Sequence, residues 1–240
     1  MSARKDVSQF CQKVSVNVVF TGQVQMIPLF REHVGFWTKE RKKSLRVGIL
    51  FLIVALFIQF VAHQYSEKSA TSFVGDLFLD NLPVVDFSYI IVNGAFLAII
   101  IGLFLIILKP RYLVFSLKVV SFFIVTRAFF VTLTHIGIYP SQITLGDSPI
   151  DQFYMLLNLQ DGFFFSGHTG MPFLGALIFW NEKFWRYFFI AVSILFGTAA
   201  LFAHVHYSID VFAAPFMTYA IFKFAELELF KKDYATMRGE

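Results

Sequence analysis

FSYIIVNGAFLAIIIGLFLIIL, residues 87–108, runs for 22 residues without a charge. At ~1.5 Å per residue a helix of that length covers about 33 Å, enough to cross a hydrocarbon core roughly 30 Å thick. Inside lipid every backbone N–H and C=O must be bonded within the protein, which leaves only helices and closed barrels. The run lacks the period-2 alternation of a barrel strand, so it reads as a transmembrane helix.

Working outward, five more apolar segments read the same way: 47–62, 112–133, 164–180, 187–203 and 207–224. The expected fold class is an all-α integral membrane protein, a six-transmembrane-helix bundle. It divides into an N-terminal segment 1–46, a six-span membrane domain 47–225 and a tail 226–240. The composition excludes an ordinary soluble domain, because 57% of residues are hydrophobic and only 15% charged, against roughly 25% charged in soluble chains. Cys11 is the sole cysteine, so intrachain disulfides and thiolate metal clusters are excluded. The net charge of +4 is dispersed beside the apolar runs. It fits anionic lipid headgroups and not a nucleic-acid patch.

Lys and Arg positions set an expected orientation. Nine of them precede the first run, from Arg4 to Arg46, and no small-residue cleavage pattern follows it, so that run reads as a retained span with a cytoplasmic N-terminus. Lys109 and Arg111, then Lys183 and Arg186, then Lys231, Lys232 and Arg238 fall on the same side. The opposite loops are acidic: Asp76, Asp80 and Asp86 in one, Asp147, Asp151 and Asp161 in the other. Both termini are thus expected in the cytoplasm, with residues 6–37 lying along the interface or forming a solvated leader.

On that topology His63, His135, His168, His204 and His206 all reach the non-cytoplasmic face, and ionisable groups clustered at a membrane boundary point to function. Ser166-Gly167-His168-Thr169-Gly170 opens a helix there. Ser166 is a good N-cap, Gly167 admits a ligand close to the backbone, and the free N–H groups of a first turn cradle phosphate oxygens. His168 could protonate a leaving oxygen. A plain capped helix start would leave the same string. His206-Tyr207-Ser208-Ile209-Asp210 is its counterpart: on an opening helical turn, Asp210 would orient one nitrogen of His206 and leave the other as a nucleophile towards phosphorus. A structural His–Asp pair is the plainer alternative. Arg127 lies near the same boundary, where its fork could hold two phosphate oxygens or merely pair with a loop carboxylate. Lys118, earlier in that span, is expected to snorkel towards the cytoplasm. His204, His206, His168 and Asp210 would also be acceptable zinc ligands.

FFFSGHTGMPF (163–173) followed by AHVHYSIDVFAAPFMTYAIF (203–222) resembles the sphingomyelin synthase branch of the type 2 phosphatidic acid phosphatase superfamily. Weaker likeness extends to TRAFFVTLTHIGIYP (126–140) and DLFLDNLPVVDF (76–87). The resemblance implies six spans, metal-independent chemistry without a cofactor, and a phosphohistidine intermediate. It makes His206 the nucleophile, Asp210 its partner and His168 the leaving-group acid, with Ser166, Gly167 and Arg127 holding phosphate. Thr169 is expected beside them as a further phosphate contact, and Asp161 and His204 are expected behind the site. The substrates implied are a phospholipid and a lipid alcohol, met on the periplasmic, lumenal or exterior face. The chain departs from the phosphatase branch, which has a Lys-x6-Arg-Pro motif that no loop here matches. It also departs from the synthases, which have Cys-Gly-Asp where this chain has Leu159-Gln160-Asp161-Gly162. Hydrolysis of a lipid monoester or isoprenoid diphosphate, and a non-catalytic lipid-binding role, are the competing expectations.

Overall fold

A computed structural model describes residue 33 and residues 35–144, 149–156 and 164–240. Among them every regular element is helical: α1 (Lys39–Ser69), α2 (Ser88–Leu108), α3 (Pro110–Leu133), α4 (Pro149–Leu156), α5 (Gly167–Ile178), α6 (Lys183–Phe202), α7 (Ser208–Phe224), a π-helical turn (Ala225–Leu229) and α8 (Lys231–Arg238). Five helices, α1, α2, α3, α6 and α7 with its π turn, are long and apolar enough to cross a membrane. The protein is a helical, multi-pass membrane protein.

α3 is the axis of the bundle. Over its most apolar stretch 56% of residues are buried, against 17% in α1 and α2, whose Ile53, Phe57, Ile100 and Phe104 face outward. Outward apolar side chains are costly in water and cost nothing in lipid. Helix contact inside a bilayer depends on close packing more than on the hydrophobic effect, and small residues permit it. Glycines mark these crossings. A Cβ on Gly170 would stand 2.9 Å from both Phe123 Cζ on α3 and Thr218 Oγ1 on α7, and one on Gly94 would stand 2.8 Å from Phe196 Cε1 on α6.

The two ends of the bundle differ in charge. At one end lie the start of α1, the α2–α3 and α5–α6 turns, and α8. Lys118 Nζ donates to Ser44 Oγ at 2.7 Å and Asp233 Oδ2 at 2.6 Å, and Ser44 Oγ donates to Asp233 Oδ1 at 2.8 Å. A long cationic side chain buried in α3 is thereby neutralised by α8, whose Tyr234 packs on Phe115 and Phe222. Lys109 and Arg111 pair with Glu182 across two turns, and the adjacent Lys109 ammonium holds the Glu182 carboxyl below the usual range. At the opposite end, among the described residues, Lys68 and Arg127 are the only Lys or Arg.

Several expected boundaries shift. The first apolar run, 47–62, lies inside a 31-residue α1, because Thr38 caps it early through Oγ1 to Arg41 N (3.3 Å) and the basic residues 39–46 continue the helix. Residues 1–32 and 34 of the expected interfacial segment lie outside the described residues. The tail 226–240 is docked, with Met237 buried. The fourth apolar segment, 164–180, yields only the 12-residue α5. At ~1.5 Å per residue that is about 18 Å, short of the bilayer core. Its C-terminal end adjoins Glu182 at the basic end of the bundle, so its N-terminus is sunk below the opposite end.

Because α3, α5 and α7 meet without clearance at Gly170, Gly170→Ala is expected to destabilise the fold by about 1–3 kcal/mol. Thermal unfolding of the detergent-solubilised chain measures it, with Gly35→Ala, where nothing lies within 4 Å of the added carbon, as the neutral reference.

Candidate active site

The sunken start of α5 and the start of α7 face each other. Ser166 is the N-cap of α5, with extended backbone (φ −60°, ψ 120°), and its Oγ accepts from Thr169 N at 3.3 Å. Its own N–H donates to Asp210 O at 2.9 Å, so the two helix starts are joined through backbone. Among the described residues no acceptor meets the N–H of Gly167 or His168. These are the orphan donors of a first turn, at the positive end of the helix dipole.

His206 does not sit on the opening turn of α7. Tyr207 is the N-cap, and His206 precedes it on the linker from α6, so the helical four-residue spacing does not apply. A capping box brings the pair together instead: Asp210, at the third helical position, turns back so that Oδ2 accepts from Tyr207 N at 3.2 Å. That same oxygen lies 3.4 Å from His206 Nδ1. Asp210 Oδ1 accepts from Phe164 N at 3.0 Å, on the segment that leads into Ser166. His206 and Asp210 are each only 1% exposed.

The other ring nitrogen, His206 Nε2, faces His168 Nδ1 at 3.2 Å. His168 Nε2 in turn meets the hydroxyl of Tyr154 on α4. The result is a continuous row, Asp210, His206, His168, Tyr154. Arg127 reaches it from α3, six residues before that helix ends. Its Nε donates to Phe165 O at 2.9 Å, and a Cβ on Gly167 would lie 3.4 Å from the same Nε. The guanidinium therefore lies beside the first turn of α5, about 9 Å below the end of α3 at ~1.5 Å per residue.

Two expected participants stand elsewhere. The Thr169 hydroxyl contacts Ser166 Oγ at 3.4 Å and packs against Gly197, while Thr169 O accepts from Ser193 Oγ at 2.7 Å, which commits this residue to the α5–α6 contact. His204 is buried with left-handed backbone (φ 54°); its Nδ1 meets Ser141 Oγ at 2.7 Å and its ring packs edge-on against Tyr139. His204 thus turns to the loops, and among the described residues no three His, Cys, Asp or Glu side chains are gathered as metal ligands. Asp161 lies outside the described residues.

Sequence reasoning missed Tyr154, Asp76 and the tyrosine of the second motif. The Tyr207 hydroxyl donates to Gly137 O at 2.9 Å and accepts from Val74 N at 3.4 Å, pinning both loops to the residue next to His206. Asp76 caps α7 from the α1–α2 loop, its Oδ2 accepting from Ser208 N at 2.7 Å and its Oδ1 from Phe78 and Leu79 N–H. Beside it the Tyr139 hydroxyl donates to Asp80, which pushes the Tyr139 phenol up to about 12. The signal available was DLFLDN itself, an aspartate followed by backbone it can cap.

Burial alone would raise the Asp76 carboxyl, but the N–H donors of Leu79, Ser208 and Phe78, with the Ser208 side chain, outweigh it and hold its pKa below the ordinary carboxylate value. A depressed carboxylate stabilises the fold at pH above its unfolded value, about 3.9, and that contribution is lost as the pH falls through the folded value. Wild type is therefore expected to lose more thermal stability than Asp76→Asn between pH 6 and pH 3, the two curves converging at the acid end; parallel curves would contradict this. No family model, curated protein or solved structure matches the chain.

Proposed function

We propose that the protein is a membrane-embedded lipid phosphotransferase, similar to the sphingomyelin synthases, working through a phosphohistidine on His206. One observation carries this reading: His206 Nε2 and His168 Nδ1 face each other at 3.2 Å beside the Arg127 guanidinium and two helix-start N–H groups that meet no acceptor among the described residues. In-line transfer needs a nucleophile and a leaving-group acid on opposite sides of one phosphorus. A near-attack contact, a P–O bond and a hydrogen bond angled at the leaving oxygen together span about 7 Å. On this reading substrate binding parts the two ring nitrogens by about 4 Å and inserts the phosphate between them.

His206 attacks phosphorus, and Asp210 orients its ring and stabilises the positive charge that develops there. The Gly167 and His168 N–H groups and Arg127 hold the non-bridging oxygens. His168 delivers a proton to the departing diacylglycerol oxygen. A lipid alcohol then displaces His206. The recess favours transfer over hydrolysis, since the reacting nitrogens are buried in an apolar bundle where a second lipid partitions and water does not.

The six-span topology belongs to the same proposal. α5 is the short fourth membrane segment, both termini are cytoplasmic, and the site opens on the periplasmic, lumenal or exterior side. Its support is the charge contrast between the bundle ends.

The test is a trapping experiment on the purified chain, using phospholipids labelled in the headgroup phosphate with ceramide or diacylglycerol as acceptor. Acid-labile label is expected on wild type and not on His206→Ala, whose turnover falls at least about 10³-fold. Labelled headgroup should reach the acceptor lipid. Release to water alone would assign hydrolysis instead, and full function in His206→Ala would point to a non-catalytic lipid-binding protein.

A further inference from the structure

We infer that Tyr154 is the positioning residue that fixes the proton of His168 and replenishes it during leaving-group departure; this rests on the phosphohistidine reading. The argument runs along the buried row from its charged end. Asp210 Oδ2 lies 3.4 Å from His206 Nδ1; a carboxylate there can only accept, which favours the His206 proton on Nδ1 and leaves Nε2 of a neutral ring as the acceptor. His168 Nδ1 must therefore be the donor in the 3.2 Å contact with His206 Nε2. A neutral His168 is left with an acceptor at Nε2, and the group placed there is the Tyr154 hydroxyl. The row has one consistent direction: Tyr154 O–H to His168, His168 N–H to His206, and the remaining His206 N–H turned towards the Asp210 carboxylate 3.4 Å away.

That direction matters because the proton facing the substrate gap is on His168 Nδ1, opposite the lone pair of His206. When His206 Nε2 bonds to phosphorus and the P–O bond to the leaving group breaks, the departing oxygen takes the Nδ1 proton. His168 would then be an imidazolate unless Nε2 receives a proton at the same time. Tyr154 O–H supplies it and becomes a phenolate. In the second half-reaction the acceptor alcohol gives its proton to His168 Nδ1, Nε2 returns a proton to the Tyr154 oxygen, the alcohol oxygen bonds phosphorus and the P–N bond breaks. Protons and charge balance over the cycle.

The surroundings hold Tyr154 to this task. It is 1% exposed, packed edge-on against Phe96 of α2 at 5.9 Å and set in the apolar cluster of Leu79, Ile91 and Val92. Its ring therefore stays in place when only the oxygen is removed.

The test uses the full chain in nanodiscs containing phosphatidylcholine, phosphatidylethanolamine and phosphatidylglycerol, alongside p-nitrophenyl esters of the same headgroup phosphates. The diacylglycerol oxygen must be protonated to leave, whereas p-nitrophenolate needs no proton. Tyr154→Phe is expected to lower kcat on the lipids by about 10–100-fold, with at least tenfold less effect on the aryl esters and little change in KM. Equal losses on both probes, or none on the lipids, overturn the relay while the phosphohistidine reading stands on the inactivity of His206→Ala. Wild type inert on every probe overturns both. Independently of turnover and of how the variant folds, ring-nitrogen NMR shifts of 15N-histidine-labelled wild type report the tautomer. A proton on Nδ1 of neutral His168 supports the relay, and one on Nε2 overturns it.

Discussion

Two backbone segments 46 residues apart in sequence are held together by one carboxylate. Asp210 accepts from Phe164 N and Tyr207 N while its own carbonyl accepts from Ser166 N. In water three such contacts would each add about 1 kcal/mol. Buried among helices in lipid, the same N–H groups have no solvent to return to, and leaving them unpaired costs considerably more. The start of α5 and the start of α7 are consequently fixed to each other, and with them the donors of one helix and the imidazole beside the other. The distance between His168 and His206 follows from this constraint. A carboxylate that only oriented His206 would not need to bond both flanking segments.

The rest of the bundle keeps charge away from that point. Lys118, the other cation well inside α3, is drawn to the opposite end and neutralised by Asp233, so Arg127 is the guanidinium left beside the first turn of α5. Segregation of this kind has a simple electrostatic basis: in a medium of low dielectric a second fixed cation near Arg127 would repel it strongly. Two acidic side chains at the site end are occupied by protein donors. Asp76 takes three backbone N–H groups and Asp80 takes the Tyr139 hydroxyl.

Local patterns in the sequence were enough for five apolar helices long enough to cross a membrane, for Ser166 as an N-cap and for the proximity of His206 to Asp210. Each depends on hydrophobicity or on residues within a turn of one another. The length of α5 was not legible, because the apolar run from Phe163 to Phe165 reads equally as helix or as a buried approach, and only the tertiary bonds of Phe164 and Ser166 decide it. His206 was assigned to the helix for the same reason: Tyr207 is an uncommon cap, and its capping box uses Asp210 where Glu or Gln is usual. Tyr154 was invisible because its partner lies 14 residues away, and the capping of α7 by Asp76 was invisible because Ser208 lies 132 residues away. Nothing in a lone tyrosine beside apolar neighbours distinguishes a core ring from one aimed at a histidine.

Depth connects these features. A site open to bulk water could recharge any histidine from solvent and would favour hydrolysis of whatever it phosphorylated. The start of α5 is instead sunk about 9 Å below the end of α3, by the ~1.5 Å rise per residue, under loops that Tyr207 and Asp76 tie down. On the phosphohistidine proposal, water that cannot enter freely can neither compete with a lipid alcohol nor serve as the proton reservoir. Under that proposal the proton donor has to come from the protein, and Tyr154 stands at the far end of the row where such a donor is needed.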